Sequence, residues 1–434
     1  MDARGGALRA FLTVLGGETL DAAFAVLDEK AELEPRDRAF ARLLVLTALR
    51  RLGQIDDAIA HCVERPDDLP PRERAILRLG AAQLLFLGTP AFAAVNGAVQ
   101  ATRSSALKGL VNAVLRRLSR EGPAIFAQQD APQLNTPQWL WQQWADDFGA
   151  PAARAIAMAH LDEPPLDLSV ARDAMAWAER LGATMLPTGS LRLRDAGPVA
   201  DLPGYHDGAW WVQDAAAALP AHVLMNALPE VEGAEIADLC AAPGGKTAQL
   251  AAAGARVTAV DRDPRRLERV AENLRRLRLS ATLLAADAAA WAPGHAFDAV
   301  LLDAPCTATG TMRRNPDIAL HKGPDSAAAL DALQDALLAQ AATLVAPGGV
   351  LVYCVCSLDR REGAGRVEAF LGRHPDFERI PTQAVEVGGL TELLTRAGDL
   401  RTLPCHLAEQ GGMDGFFAAR MRRDARLRTL KPLP

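Results

Sequence analysis

A glycine-rich turn, DLCAAPGGKT at 238–247, lies between a strand-like run and a helix-like run. Small residues at such a turn let backbone N–H groups approach a ligand at the positive N-terminus of a helix. A nucleotide P-loop, G-x-x-x-x-G-K-[ST], would need glycine where this chain has Cys240. The dinucleotide pattern G-x-G-x-x-G is also absent, because only Gly244 and Gly245 are present. The turn therefore predicts an α/β fold whose ligand site is neither a nucleotide P-loop nor a dinucleotide-binding turn.

The length and composition predict a multidomain globular protein. With 434 residues, the chain is expected to form two or three domains. Half of the residues are hydrophobic, yet no run of about 18 apolar residues is long enough to cross a membrane. The first 17 residues lack a clear signal-peptide pattern. We therefore expect a cytoplasmic protein with no membrane partner, and a monomer.

The charge and the cysteines exclude some classes of site. The net charge of −6 argues weakly against a nucleic-acid partner, but arginines cluster locally, so their distribution matters more than the sum. Six cysteines have neither the density of a disulfide framework nor C-x-x-C spacing, so no metal is predicted. The arginine clusters are Arg116, Arg117 and Arg120; Arg313 and Arg314; and Arg420, Arg422, Arg423, Arg426 and Arg428. Each cluster alone is most simply a solvated surface.

Hydrophobic periodicity divides the chain into four parts. Residues 1–127 repeat apolar positions every three or four residues, which predicts an all-α domain. Residues 128–205 predict a small α+β linker domain, with Trp139, Trp141 and Trp144 packing a helical part. From 206 to 422 strands and helices alternate, which is the pattern of a doubly wound parallel sheet. Its strands are expected at 235–240, 255–263, 281–287, 297–306 and 349–357, and a basic tail at 423–434.

Residues whose side chains can bind a ligand or react follow each predicted strand of this sheet. In doubly wound sheets, ligands bind at the carboxyl ends of the strands, near the switch point. Asp261 is placed to take both hydroxyls of a ribose, and Asp287 to accept from an adenine amine. One acidic strand end is equally often a helix cap, but several in register favour a site. The glycine turn is then of the kind that holds S-adenosylmethionine in Rossmann-like methyltransferases.

Cys306 and Cys356 end two of these strands and suggest a reaction on a pyrimidine. Carbon 5 of cytosine is a weak nucleophile, but a thiolate that adds to carbon 6 lets carbon 5 attack a sulfonium methyl group. A second base must then remove the carbon-5 proton. Asp303 is expected to stabilise the charge that develops on the ring. The other cysteines, Cys62, Cys240, Cys354 and Cys405, are expected to be small buried side chains.

Five motifs resemble those of the Sun family of RNA 5-methylcytosine methyltransferases. They are ADLCAAPGGKT, VDRD, DAPCTATGTMRRNPDI, VYCVCSL and MDGFFAAR, in the same order. The helical segment LRLGAAQLLFLGTPAFAAVNGAVQAT with GLVNAVLRRLSREG resembles the NusB-like domain of the RsmB branch. The likeness covers nearly the whole chain.

The resemblance implies an activity and a set of site residues. It implies S-adenosylmethionine-dependent methylation of a cytosine in 16S rRNA, with Cys356 as nucleophile and Cys306 as helper for proton removal or product release. Arg313, Arg314 and Pro316 are implied to touch RNA, and the NusB-like domain to select or anchor it. The implied cofactor-binding residues are Cys240, Ala241, Ala242, Pro243, Gly244, Gly245, Lys246, Asp261, Arg266, Asp287 and Asp303.

The chain departs from the family pattern at two places. Val355 precedes the proposed nucleophile where relatives usually have Thr, so a hydroxyl is expected to be missing beside the thiol. The linker stretch is Leu168-Ser169-Val170-Ala171 instead of L-R-V-N, which weakens any RNA contact there.

Two other functions stay open at this point. One is a DNA cytosine methyltransferase, in which Cys306 would be the nucleophile. The other is an RNA-binding assembly or antitermination factor that keeps the fold as a scaffold. Erosion of the cofactor turn or of either thiol would favour the scaffold, and the sequence shows neither.

Overall fold

The computed structural model describes residues 2–30, 33–194 and 196–426. They group into two compact units. The first contains 1–163 together with 312–324, and the second contains 164–311 together with 325–434. The last eight residues of the predicted basic tail, 427–434, lie outside the described residues.

All regular secondary structure in the described part of the first unit is helical, which confirms the predicted all-α domain. Apolar side chains at helical spacing form its core, with Phe11, Phe24 and Leu44 fully buried. Asp2 and Thr19 cap two of the helices with their side-chain oxygens. The helices are α1 (Ala3–Leu15), α2 (Leu20–Glu29), α3 (Pro35–Arg50), α4 (Leu52–Ala60), α5 (Pro71–Leu85), α6 (Ala91–Ala101), α7 (Ser105–Phe126), α8 (Ala131–Leu134), α9 (Gln138–Phe148), α10 (Ala150–Ala159) and α15 (Ile318–His321).

The predicted linker region divides between the two units. Helices α8 to α10 belong to the first unit, where the ring of Trp144 is fully buried and lies 5.3 Å from that of His160. Residues 164–205 belong to the second unit. The units therefore separate at 163, and the domain boundaries at 127, 205 and 422 stay predictions.

The second unit contains two sheets and the helices that cover them. Its strands are β1 (Leu166–Val170), β2 (Thr184–Met185), β3 (Leu191–Leu193), β4 (Trp210–Val212), β5 (Glu235–Leu239), β6 (Arg256–Asp261), β7 (Thr282–Ala285), β8 (Phe297–Asp303), β9 (Val345–Val355), β10 (Phe377–Arg379), β11 (Leu400–Thr402) and β12 (Phe416–Arg423). Its helices are α11 (Ala174–Leu181), α12 (Ala215–Met225), α13 (Gly245–Ala252), α14 (Pro264–Leu277), α16 (Asp331–Leu344) and α17 (Ala364–Arg373).

The larger sheet has the order β10-β12-β9-β8-β5-β6-β7, with β11 paired to β12. The five predicted strands are its parallel part, β5 to β9, and the order reverses between β5 and β8. This reversal is the switch point at which ligands bind in doubly wound sheets. The Rossmann-like fold is thus confirmed, while the antiparallel strands β10 to β12 were not predicted.

The smaller sheet, β2-β3-β1-β4, is antiparallel and forms the β part of the predicted α+β region. Asp167 and Arg192 join β1 to β3 through a buried ion pair with two contacts of 2.6 Å. Leu168 is fully buried, and the hydroxyl of Ser169 donates to Gln213 at 2.8 Å. The side chains of Leu168 and Ser169, in the altered linker stretch, therefore make contacts within the second unit.

The arginines predicted to lie in a basic cluster near the C-terminus are mostly part of the sheet. Arg420 is buried in β12 and pairs with Glu386 at 2.7 Å. Arg423 ends the same strand and lies 3.4 Å from Asp376. The residue predicted to begin the tail, Arg423, therefore belongs to the strand.

Candidate active site

The glycine-rich turn connects β5 to α13 at the switch point. Cys240 and Gly244 have positive φ angles of 60° and 96°. A Cβ on Gly244 would lie 2.8 Å from a methyl group of Val270, so both the conformation and the space require glycine there. The backbone of the turn therefore lies close to α14 and leads directly into the N-terminus of α13.

Asp261, at the carboxyl end of β6, stabilises this turn. Its Oδ2 accepts the N–H of Ala242 at 3.2 Å, and the side chain is 2% exposed. Arg266 contacts both partners, since its guanidinium lies 3.3 Å from Asp261 and donates to the carbonyl of Ala242 at 2.6 Å. The structure thus brings together three of the residues implied to bind cofactor.

Asp287 lies two residues beyond the end of β7 and is exposed. Its Oδ1 accepts the backbone N–H of Ala289 at 3.0 Å. This contact is the local capping role that the sequence left open as an alternative, and it leaves the second oxygen of Asp287 facing solvent or a ligand.

Lys246 and Asp303 form a pair that the sequence did not predict. The Nζ of Lys246 lies 2.7 Å from Oδ2 of Asp303, and the Sγ of Cys354 lies 3.5 Å from the other oxygen. Burial opposes the charge of Lys246, but the carboxylate of Asp303 raises the pKa of the ammonium above its usual value. Lys246, which was implied to bind cofactor, therefore contacts the proposed catalytic carboxyl directly.

The two cysteines at the ends of β8 and β9 converge. The sulfur of Cys306 lies 3.4 Å from that of Cys356. The contact with Cys356 and burial both raise the pKa of the Cys306 thiol above its usual value. Burial raises the pKa of Cys354 as well, and that of Cys240 to about 12. Of the four cysteines expected to be buried, Cys354 is buried, whereas Cys62, Cys240 and Cys405 are half-buried.

A close approach of two backbone segments holds the loop that follows Cys306. The N–H of Gly310 donates to the carbonyl of Cys356 at 3.0 Å, and the N–H of Gly415 donates to the carbonyl of Gly310 at 2.8 Å. A Cβ on Gly310 would lie 1.9 Å from the oxygen of Gly415. No role was predicted for Gly310 from the sequence, although it lies in the motif that contains Cys306, and Gly415 lies in MDGFFAAR.

Asp238 is a fully buried carboxyl near the site that was not predicted from the sequence. It lies in β5 and accepts the hydroxyl of Thr247 at 2.6 Å. Burial raises the pKa of Asp238 to about 7. This contact ties the first turn of α13 to β5 beneath the glycine-rich turn.

Val355 and Cys356 pack against different core clusters, and Cys306 packs against the cluster that contains Val355. Tyr353 and Val355 pack into one core cluster, whereas Cys354 packs on the opposite face of the sheet and Cys356 lies against that second cluster. A Thr hydroxyl at 355 would therefore lie in an apolar core rather than beside the thiol of Cys356, which corrects the expectation of a missing partner.

The predicted RNA contact of the loop after Cys306 needs a correction. Residues 312–324 belong to the first unit, where Arg313 is 1% exposed and its carbonyl accepts from Arg50 at 3.0 Å. Pro316 is also buried, whereas Arg314 is exposed. A buried guanidinium is not available to a phosphate, so only Arg314 keeps the predicted access.

Two kinds of feature are absent from the residues that the structure describes. No helix among them has the length and hydropathy needed to cross a bilayer. Across the same ranges, no group of three or more His, Cys, Asp or Glu side chains is placed to hold a metal ion.

Comparison with known proteins identifies similar chains over nearly the full length. Residues 225–422 match the family model described as 16S rRNA methyltransferase RsmB/F, and residues 1–120 match the NusB family. Ribosomal RNA small subunit methyltransferase B of Xanthomonas campestris is 41% identical, covering 81% of this chain and 83% of that protein. The protein of the same name from Thermus thermophilus is 39% identical and covers 89% of each chain.

Solved structures share the fold. The crystal structure of PH0851 covers 96% of this chain and 98% of its own, with a TM-score of 0.72 and 23% identity. A methyltransferase homolog from Pyrococcus horikoshii covers 65% of this chain and 93% of its own, with a TM-score of 0.53 and 25% identity.

The glycine turn at the switch point, with aspartates at the neighbouring strand ends, defines a Rossmann-like methyltransferase that uses S-adenosylmethionine. The close backbone at Gly244 and the oxygens of Asp261, Asp287 and Asp303 fit such a ligand. Together with the relatives, these features show the family. The chain belongs to the RsmB/F family of 16S rRNA methyltransferases.

Proposed function

We propose that this protein methylates carbon 5 of one cytosine in small-subunit rRNA, through a covalent bond between Cys356 and carbon 6 of the base. The observation that carries the proposal is the 3.4 Å contact between the sulfurs of Cys306 and Cys356. A methyl transfer to nitrogen or oxygen needs no pair of thiols, whereas carbon 5 must be activated by a nucleophile and later deprotonated. The rRNA substrate is inferred from the family, and it implies an activity in the cytoplasm.

In the first step, the thiolate of Cys356 adds to carbon 6, and the ring gains electron density at nitrogen 3. The ion pair of Lys246 and Asp303 lies at the end of the neighbouring strand and holds a proton that it can share with the ring. A proton or hydrogen bond placed there before the reaction stabilises the developing charge. S-adenosylmethionine, when bound, supplies the electrophilic methyl group that carbon 5 takes.

In the last step, the carbon-5 proton is removed, the bond between carbon 6 and the Cys356 sulfur breaks, and the ring regains its double bond. The Cys306 thiol gives its proton to the departing sulfur and takes the proton from carbon 5, so both cysteines end as thiols. The proton at nitrogen 3 returns to the pair of Lys246 and Asp303. The contact between the two sulfurs supports this direct transfer.

Covalent trapping on RNA that contains 5-fluorocytosine tests the assignment, because fluorine at carbon 5 blocks the release step. Cys306→Ala should form the adduct, and Cys356→Ala should not. On unmodified RNA, Cys306→Ala should accumulate the adduct because release fails. Cys62→Ala, in the first unit, serves as the control for removal of a thiol elsewhere and should behave like the wild-type protein.

Opposite results separate the alternatives. An adduct that requires Cys306 and ignores Cys356 would make Cys306 the nucleophile, as in the DNA cytosine methyltransferases. Absence of methyl transfer from wild-type protein to unmodified small-subunit rRNA would favour the scaffold function. Where methyl transfer is observed, bisulfite sequencing of rRNA from a deletion strain identifies the modified cytosine.

A further inference from the structure

Glu362 is a fully buried carboxylate that the reaction described above does not use. Its Oε1 accepts the backbone N–H of Thr307 at 2.9 Å, and its Oε2 accepts the hydroxyl of the same residue at 2.5 Å. The amide of Gln334 donates to Oε1 at 3.1 Å. All three donors are neutral, and a buried carboxylate held only by neutral donors is costly. Such a charge is expected to act on its surroundings.

The contacts of Glu362 hold both sides of Cys306. Thr307 directly follows this cysteine, and Gln334 also donates to the carbonyl of Pro305, which directly precedes it, at 2.9 Å. The hydroxyl of Thr307 lies 3.0 Å from that of Ser357, which follows Cys356. One buried network therefore connects the residues next to both sulfurs and fixes the distance between them.

The negative charge of this network, on Glu362, acts on Cys306. Glu362 holds the loop that carries Cys306, and its carboxylate contributes to the raised pKa of that thiol, after the contact with Cys356 and burial. The guanidinium of Arg401 donates to the carbonyl of Ser357, the residue after Cys356, at 2.6 Å. The carboxylate beside Cys306 disfavours a second negative charge on that sulfur, so the proton stays on Cys306.

Other ionisable groups face this region. Tyr353 lies near Cys306 and donates its hydroxyl to the backbone carbonyl of Glu362 at 2.7 Å. Arg366, on α17, forms ion pairs with Asp331 and Asp335, so its charge is compensated by two carboxylates.

We propose that Glu362 is a positioning residue that decides which of the two cysteines attacks: it clamps the Cys306 loop through Thr307, and its charge keeps the shared proton on Cys306, leaving Cys356 as the nucleophile. This inference rests on the proposed function for its consequence, since only a pyrimidine methylation uses the two sulfurs in different roles. The arrangement of charges itself is independent of that function.

Alkylation of the two cysteines tests the role of the charge without any methyl transfer. The full-length protein is treated with iodoacetamide over a pH series, and the rate at each cysteine is read from peptide masses. Cys356→Ser is used as the background for Cys306, so that coupling between the sulfurs does not enter. In that background, Glu362→Gln should move the pH midpoint of Cys306 alkylation down by about one unit, a tenfold faster reaction at neutral pH.

Glu362→Gln keeps the size of the side chain and an oxygen that accepts the N–H of Thr307, so it removes the charge with little change of shape. Tyr353→Phe is the matched control, because it removes a contact to Glu362 but leaves its carboxylate, and the midpoint should not move. A merely structural role would speed alkylation at every pH and leave the midpoint in place. That outcome for Glu362→Gln overturns the proposal.

Glu362→Asp provides the second variant should the glutamine variant fail to fold. Because the side chain of Asp is one methylene shorter, its carboxylate lies farther from Cys306, and the pH midpoint of Cys306 alkylation should fall by less than in Glu362→Gln. An unchanged midpoint overturns the proposal here too. Methylation of small-subunit rRNA by the wild-type protein is measured in parallel. Its absence would refute the proposed function, whereas a fixed Cys306 midpoint would refute only the role of Glu362.

Discussion

The Nζ of Lys246 lies 2.7 Å from Oδ2 of Asp303, across the switch point of the sheet. The lysine follows β5 and the aspartate ends β8, which are neighbouring parallel strands. The pair therefore connects the turn implied to bind the cofactor with the carboxyl implied to face the base. Most of the lysine is buried, whereas Asp303 keeps 28% of its side chain exposed.

Lys246→Met should lower the rate of methyl transfer by about 100-fold or more, because proton transfer by a positioned group contributes about that much. If Lys246 acts mainly through Asp303, the dissociation constant of S-adenosylmethionine should change by less than about tenfold. Single-turnover kinetics and equilibrium binding measure the two quantities separately.

Lys108→Met removes an exposed lysine of α7 and is the control. If the affinity for S-adenosylmethionine falls as much as the rate of methyl transfer, Lys246 acts mainly by binding the cofactor. Unchanged adduct formation on 5-fluorocytosine RNA would show that the pair does not assist the addition step.

Gly310→Ala should disrupt the geometry of the two sulfurs. A Cβ there would lie 1.9 Å from the carbonyl oxygen of Gly415 and 2.9 Å from that of Cys356, so the backbone must shift. Overpacking costs about 1–3 kcal/mol, and a misplacement of roughly 1 Å at a reacting group costs about 100-fold in rate. Urea unfolding and methyl transfer measure these two losses.

Gly372→Ala is the matched control for this substitution. Gly372 lies in α17, and nothing lies within 4 Å of a Cβ built there. Alanine in a helix interior should stabilise the protein by about 0.5–1 kcal/mol and leave the rate unchanged. Equal effects of the two substitutions would contradict the role assigned to the contact between Gly310 and Gly415.

The parallel part of the sheet and the convergence of the sulfurs were predictable from the sequence. Each of the strands β5 to β9 is an apolar run followed by a turn or a polar residue. Because the carboxyl ends of parallel strands share one edge, residues such as Asp303 and Cys356 were expected to meet there.

The antiparallel strands and the buried charges were not predictable in the same way. β12 carries three arginines, and it is a strand because its backbone pairs with β9, more than 60 residues earlier. Arg313 was predicted to be exposed, but it is buried where Arg50, far away in the sequence, donates to its carbonyl. Local patterns do not contain such long-range pairing.

Arg116 and Arg120 should contribute to RNA binding by the helical unit. Both are exposed on α7, one turn apart; the side chain of Arg116 donates to the neighbouring Asn112 at 3.0 Å, and that of Arg120 to the carbonyl of Arg116 at 3.2 Å. Replacing both with alanine should weaken binding to small-subunit rRNA. The slope of log K against log salt should become shallower by about one for each phosphate that the variant no longer binds.

Arg65→Ala is the control for this pair, because Arg65 is 82% exposed in the same unit and lies elsewhere in its sequence. Affinity measured over a series of salt concentrations separates a phosphate contact from a change in folding. Identical slopes for the wild-type protein and the double variant would show that this face of α7 does not contact RNA.

His160 should make the stability of the helical unit depend on pH. Burial, together with the charges of Arg313 and Arg50, lowers the pKa of His160 to about 3. The unfolded chain has an ordinary histidine pKa of about 6.5, so between about pH 6.5 and 3 it takes up a proton that the folded chain does not. Stability contributed by the neutral ring is therefore full above pH 6.5 and falls by up to about 1.4 kcal/mol for each unit of pH below it.

His160→Phe keeps a ring beside Trp144 and removes the titrating group. Its free energy of unfolding should lose about 1.6 kcal/mol less than that of the wild-type protein between pH 6.5 and 5. Urea unfolding followed by far-ultraviolet circular dichroism measures this difference, and His61→Gln, at a histidine 55% exposed, should follow the wild-type curve. Parallel curves for the wild-type protein and His160→Phe would mean that His160 is protonated in the folded chain, and that the two buried arginines do not exclude a third positive charge.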